Sequence, residues 1–294
     1  MTFRVAAAQY PVEHHKSFDA YAQKLEWWVK KAAMNGAQLL VFPEYASLEL
    51  ASLMPVEIQL FVPRQIEALQ VMRPDVLEVH AGLARKYNVY ILAASFPVLK
   101  HGKYLNRASL FAPNGRRTSQ DKLIMTRFEH DWGVTGGSRL RVIETDLGKL
   151  GIVICYDSEF PLIARRLVDY GADLLLVPSA TESKHGYNRV RVGSRARALE
   201  NQCYTIIAPL IGSADWSEAI DINNGAAGVF GPIDVGFPEN GVLVDGPMNV
   251  PTWVYADLDL EVLRRVRESG QTLNSKDWPS SVTGANFTVE SLRL

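Results

Sequence analysis

The chain has 294 residues, 47% of them hydrophobic, with a net charge of −1 and a pI near 6.6, enough for one large core or two small ones. The near-neutral charge argues against a polyanion partner such as nucleic acid, and no apolar run reaches the roughly 18 residues of a membrane span. The start MTFRVAAAQYPVEHH lacks an export-signal pattern, and the two cysteines, Cys155 and Cys203, then point to a reducing, cytoplasmic setting without a disulfide.

Strand-like runs occur at 3–10, 37–44, 89–98, 108–113, 140–145, 150–155, 172–178, 203–211, 226–231, 241–246 and 252–259. They are rich in Val, Ile, Leu and Ala, and several are apolar throughout, as in strands covered on both faces. Helical patterns fall between them. Segment 17–36 has an apolar face and ends on Gly36; 72–88 carries Pro74 near its start; 158–171 opens Ser-Glu and ends on Gly171; 187–202 follows the next strand. This alternation predicts an α/β layered domain. Pro-Asn-Gly at 113–115, between the strand-like arms of 108–123, predicts a hairpin. The final stretch, 267–294, is polar and lacks clear periodicity, so it reads as a tail on a domain spanning 1–266.

One internal echo organises the chain. AAMNGAQLLVFPEYAS (32–47) and LVDYGADLLLVPSATES (167–183) both run helix end, Gly-Ala, apolar strand, then Pro. Two related halves are therefore expected, presenting their strand ends alike. In open α/β sheets ligands bind beyond the carboxyl ends of strands. Glu44, Cys155 and Ser179 lie at such ends, with Thr181 and Glu182 close behind the last.

Cys155 closes the apolar run LGIVIC and precedes a helical pattern. A thiol at such a junction can feel a helix N-terminus, and turn N–H groups there can receive an oxyanion; most free cysteines are simply small buried hydrophobes. Of the six histidines, only His130 and His185 are candidate bases, and neither stands in a recognisable relation to Cys155. The alternative is a carboxylate: Glu44 follows an apolar strand, and DKLIMTRFEHDW (121–132) brings Lys122 and Glu129.

The three segments in order, FPE, then KLxxTxFE, then GxxxCYDxxFP, resemble the nitrilase superfamily of carbon–nitrogen hydrolases. The resemblance extends to the VAAAQ strand and to RARALENQ at 195–202, and so covers nearly the whole chain. It implies a four-layer α-β-β-α sandwich and a catalytic Glu–Lys–Cys triad at Glu44, Lys122 and Cys155. Glu129 would orient the lysine, and the Tyr156 backbone N–H would share the oxyanion with Lys122. No cofactor or metal is implied, and HExxH, paired CxxC, GxGxxG and P-loop patterns are absent.

Cys-Tyr-Asp and Phe-Pro around the nucleophile resemble the amidase branches, whereas Thr126, Glu129 and Trp132 have a nitrilase-like look. The expected chemistry is hydrolysis of a small amide through a cysteine thioester, with nitrile hydrolysis, acyl transfer and a non-catalytic scaffold as alternatives. A papain-like Cys–His protease is a weaker one, its flanking motif being absent. Tyr45, Phe128, Trp132 and Glu159 are expected to shape the substrate pocket, together with Thr181, Glu182 and Tyr187. Glu182 could pair with an amine-bearing substrate, and among Arg189, Arg191, Arg195 and Arg197 one could select a carboxylate. The family implies a homodimer or higher homo-oligomer acting on a small-molecule amide, its subunits packed through helices, here 158–171 and 187–202, with the tail 267–294 crossing to the partner.

Overall fold

The computed structural model describes residues 2–284, 288 and 290–293. The N-terminal half supplies β1 (Thr2–Pro11), α1 (Phe18–Met34), β2 (Leu39–Val41), a 3-10 segment (Ala46–Leu53), α2 (Val56–Gln59), α3 (Val62–Leu69) and α4 (Arg73–Tyr87). It continues through β3 (Tyr90–Leu92), β4 (Phe96–Lys100), β5 (Lys103–Phe111), β6 (Arg117–Asp121) and α5 (Arg127–Asp131). The second half supplies β7 (Val142–Thr145), β8 (Gly148–Ile152), a 3-10 turn (Cys155–Glu159), α6 (Pro161–Asp169), β9 (Leu174–Ser179), α7 (Lys184–Asn201) and β10 (Tyr204–Ser213). After these come β11 (Ile222–Asn223), β12 (Gly228–Phe230), β13 (Val242–Asp245), β14 (Thr252–Asp259), α8 (Leu260–Ser269) and α9 (Asn274–Gly284).

Strands follow the order β4-β5-β3-β2-β1-β10-β9-β8-β7. Yet β1 and β10 pair only through Tyr10↔Leu210 and Pro11↔Ile211. The sheet divides there into two layers that touch at the carboxyl ends of their central strands. Each layer has a parallel centre, β1-β2-β3 in one and β8-β9-β10 in the other. β14 returns antiparallel along β1 and completes the first layer.

Alternation along β1 explains the stacking. Phe3, Val5 and Ala7 share a core with Ile152, Leu174 and Ile206 of the other layer. Ala6, Ala8 and Tyr10 face the opposite way, onto Leu25, Trp28 and Val29 of α1 and Leu83 of α4. On the second layer's outer face, Ala164 and Leu167 of α6 and Val190 and Ala198 of α7 close the core. The layers therefore stack α-β-β-α, the sandwich implied by the resemblance.

The internal echo has a backbone cause. At the end of α1, Gly36 N–H donates to Ala33 O (2.9 Å) and Ala37 N–H to Ala32 O (3.2 Å). After α6, Gly171 N–H donates to Val168 O (2.8 Å) and Ala172 N–H to Leu167 O (3.0 Å). Both glycines have positive φ, +78° and +95°, as a Schellman cap requires. Asn88 and Gln202 end α4 and α7 in the same left-handed conformation. Each of these four caps turns a helix back into a central parallel strand.

Some elements differ from expectation. The run 89–98 is two strands, because Ser95 leaves the sheet to receive the Tyr45 N–H on its hydroxyl (2.9 Å). α2, α3, α5, α8 and α9 escaped the sequence reading, although Leu260, Leu263 and Val266 of α8 have helical spacing and are buried. The boundary drawn at 266 falls inside α8. The following residues pack on their own chain: Gln202 Nε2 donates to Thr272 O (2.9 Å), and the Arg165 guanidinium lies over the Trp278 ring at 5.1 Å. The tail positions 285–287, 289 and 294 lie outside the described residues. Cys155 and Cys203 are both free thiols, and no helix among the described residues is long and apolar enough to cross a membrane.

Candidate active site

Three chain segments deliver Glu44, Lys122 and Cys155 to one place. Glu44 follows β2, Lys122 follows β6, and Cys155 lies three residues beyond β8. The strand thus stops earlier than expected, and α6 does not begin until Pro161, so the thiol does not cap an α-helix. It opens a 3-10 turn with φ +47°. Tyr45, the residue after Glu44, also has positive φ, +55°. Such conformations are costly for side-chain-bearing residues and persist only where their surroundings enforce them. Asp157 supplies part of that enforcement. Its carboxylate accepts from Leu123 N–H (3.0 Å) and Ile124 N–H (2.8 Å), tying the cysteine turn to the segment carrying Lys122.

Lys122 is 1% exposed, and its Nζ donates to Glu44 Oε1 and to Glu129 Oε2, both at 2.7 Å. Glu129 is held further by Tyr45 OH (2.9 Å), Asn106 Nδ2 (3.1 Å), Thr126 N–H (3.0 Å) and Thr126 Oγ1 (3.1 Å). Thr126 and Glu129 form a capping box that starts α5. Glu44 receives Asn106 Nδ2 on Oε1 (2.9 Å) and Ala180 N–H on Oε2 (3.0 Å), while the Cys155 thiol donates to the carbonyl oxygen of the same Ala180 (3.7 Å).

These contacts separate two otherwise similar carboxyls. Burial pushes Glu44 up; Lys122 pulls it down, the charge of Glu129 pushes it up again, and the net direction is upward. Burial also pushes Glu129 up, but Lys122 and the donors from Thr126 and Asn106 outweigh it and hold it below the usual carboxylate range. Burial alone would lower the Lys122 ammonium; the two carboxylates override that and raise it well above an ordinary lysine. Burial and Glu44 raise the Cys155 thiol well above its ordinary value despite Lys122. The resting cysteine is therefore a thiol beside a carboxylate able to take its proton. Such divergent environments, one carboxyl raised and its neighbour lowered, suit a pair of carboxyls to different parts in proton transfer.

A cavity of about 320 Å³ opens onto this cluster. Of the residues expected to shape it, Tyr45, Phe128, Trp132, Glu159, Thr181 and Glu182 line it, as does Tyr156. Tyr187 does not. It is buried on α7, one turn before Arg191, which pairs with Asp245 at 2.5 Å. Of the four arginines considered, only Arg189 reaches the cavity, with Nε 3.3 Å from Glu159 Oε1. His130 and His185 are exposed and do not line it, which removes the Cys–His alternative. Sequence reasoning missed Asn106, Asp157, Glu218 and Asp221. Asn106 left a signal as an amide in the interior of an otherwise strand-forming run, and Asp157 as the aspartate of the Cys-Tyr-Asp segment, whereas Glu218 and Asp221 left none. Among the described residues, no group of three His, Cys, Asp or Glu side chains is arranged to hold a metal.

The carbon-nitrogen hydrolase family model matches residues 4–268. The chain belongs to the carbon–nitrogen hydrolases. It is 37% identical over 280 residues to the probable hydrolase YhcX of Bacillus subtilis (strain 168), covering 93% of this chain but only 53% of that protein. It is 27% identical to omega-amidase NIT2-B of Xenopus laevis, covering 90% of this chain and 92% of that one. Among solved structures, a carbon-nitrogen hydrolase from Helicobacter pylori G27 shares the fold with a TM-score of 0.75 at 21% identity, covering 95% of this chain and 93% of that one. An amidase from Nesterenkonia sp. AN1, of the nitrilase superfamily, shares the fold with a TM-score of 0.67 at 22% identity, covering 90% of this chain and 94% of that one.

Proposed function

We propose that this carbon–nitrogen hydrolase cleaves a small amide through a thioester on Cys155. The observation that carries the reading is Lys122, buried and shared between Glu44 and Glu129 beside the thiol in one cavity. Glu44 takes the thiol proton as Cys155 sulfur attacks the amide carbonyl carbon. Lys122 and the Tyr156 N–H, in the first turn of its 3-10 segment where N–H groups lack intrahelical acceptors, stabilise the oxyanion. Collapse breaks the C–N bond, and protonated Glu44 gives its proton to the departing ammonia or amine. Glu44 then takes a proton from water, whose oxygen attacks the thioester carbon. The acid leaves and the thiol is restored.

The thioester reading is tested by intact-protein mass spectrometry on a panel of small amides and nitriles, with ammonia release measured in parallel. An acyl increment in wild type that is absent in Cys155→Ala, with ammonia released from amides, supports it. Ammonia release without any adduct dependence on Cys155 overturns it.

A homodimer through α6 and α7 belongs to the same reading. It is supported by Leu162 on α6 (68% exposed), Tyr170 just beyond its end (68%) and Val192 on α7 (63%), large side chains left open there. Sedimentation of wild type against Leu162→Glu tests it. The two free, buried thiols fit the reducing cytoplasmic setting.

A further inference from the structure

We infer that Asn106 is a positioning residue that selects which oxygen of Glu44 carries the proton. The inference rests on the amidase reading for its consequence in turnover, but its geometry stands apart from it. Asn106 lies in β5, has no exposed surface, and does not line the cavity. Its amide nitrogen donates to Glu44 Oε1 (2.9 Å) and to Glu129 Oε1 (3.1 Å), using both hydrogens on the two carboxylates that flank Lys122. Its Oδ1 is buried without a partner. A buried polar atom left unsatisfied is costly, so the amide orientation is set by the two carboxylates and not by its own oxygen.

An ionised carboxylate offers about four acceptor sites, two on each oxygen. On Glu44, Lys122 and Asn106 fill both sites of Oε1, and Ala180 N–H fills one site of Oε2. The remaining site is on Oε2. Neither the ammonium nor the amide NH₂ can accept a proton, so a proton arriving at Glu44 settles on Oε2. From there it is passed between the thiol and the leaving group. Without Asn106, Oε1 also becomes open, and protonation there parks the proton beside Lys122. The same loss removes a donor from an ionised carboxylate, which makes Glu44 harder to ionise. The other groups facing Glu44 are Lys122, Glu129, Tyr45, Cys155 and Asp157, and none of them supplies a second neutral donor to Oε1.

The test compares wild type with Asn106→Leu, near-isosteric without donors, and Asn106→Ser, which keeps one donor and serves where the leucine variant does not fold. Two readouts are taken across pH: kcat and KM on the best amide, and the rate of Cys155 alkylation by iodoacetamide, which needs no substrate. The expected result is a kcat loss of roughly 10–100-fold in Asn106→Leu with KM within about threefold. The acid limb of both profiles should move up by about one pH unit. Asn106→Ser should fall between. Unmoved acid limbs, or a rate loss that follows only the loss of folded protein, would overturn the inference. If no amide is turned over by wild type, the amidase reading fails while the alkylation profile still decides the role of Asn106.

Discussion

Glu44 and Glu129 approach one ammonium from different carboxylate environments: each has an oxygen 2.7 Å from Lys122 Nζ, yet both oxygens of Glu129 are filled with donors, whereas Oε2 of Glu44 receives, among the described residues, only the Ala180 N–H. In the proposed mechanism the same cation serves one carboxylate as a fixed counter-charge and the other as a partner during proton transfer. The expected consequences separate chemistry from stability.

Glu44→Gln removes the base and leaves a neutral acceptor of nearly the same shape. Steady-state assays should show kcat lower by roughly 10²–10⁴-fold with the fold retained by circular dichroism. In wild type the base must be ionised to act, and Glu44 is raised, so kcat/KM should fall on the acid side with a midpoint above that of a free glutamate. An acid limb centred at or below an ordinary carboxylate value would count against Glu44 as the base.

Glu129→Leu is expected to act on stability first. It strands Tyr45 OH and the Thr126 donors, and leaves Lys122 with one buried carboxylate instead of two. Losing one partner of a buried ion cluster typically costs about 3–5 kcal/mol. Urea unfolding measures this, and a loss below about 1 kcal/mol would show that the cluster is not what anchors α5.

Asp157 provides a pH signature of its own. Burial raises its carboxyl from 3.8 to about 6. A raised carboxyl binds its proton more tightly in the folded chain, so its stabilisation is complete below about pH 3.8 and is lost as pH rises through 6. Asp157→Asn keeps an acceptor for the Leu123 and Ile124 N–H groups but does not titrate. Between those limits wild type should lose on the order of 3 kcal/mol relative to that variant. Parallel stability curves for the two proteins across that window would refute the assignment.

The cavity wall predicts charge selectivity. Arg189 is tied to Glu159, whereas Glu182, Glu218 and Asp221 line the cavity without an ion pair to another described residue. An amine-bearing amide should therefore outperform a carboxylate-bearing amide of equal length in kcat/KM, with the advantage shrinking as salt is added. Glu182→Gln should reduce that preference. Faster turnover of the carboxylate-bearing amide would reverse this view of the wall.

What the sequence by itself determined is local. The order of the central strands and of α1, α4, α6 and α7 followed from apolar periodicity. The Schellman glycines Gly36 and Gly171 followed from chain chemistry over a few residues. Glu44, Lys122, Glu129 and Cys155 stood out because each lies in a short segment whose residue types resemble one family, and all four meet in the folded chain. Only the tertiary structure decided the rest. Asn106 became visible through contacts to Glu44 and Glu129, residues on other segments, and Asp157 through the backbone of Leu123 and Ile124. Arg189 faces the cavity and Tyr187 does not, because their positions around α7 point them to different sides of that helix. The common physical reason is that hydrogen-bond saturation and burial depend on neighbours distant in the chain. Those neighbours alone distinguish a carboxylate that stays charged from one that can take a proton.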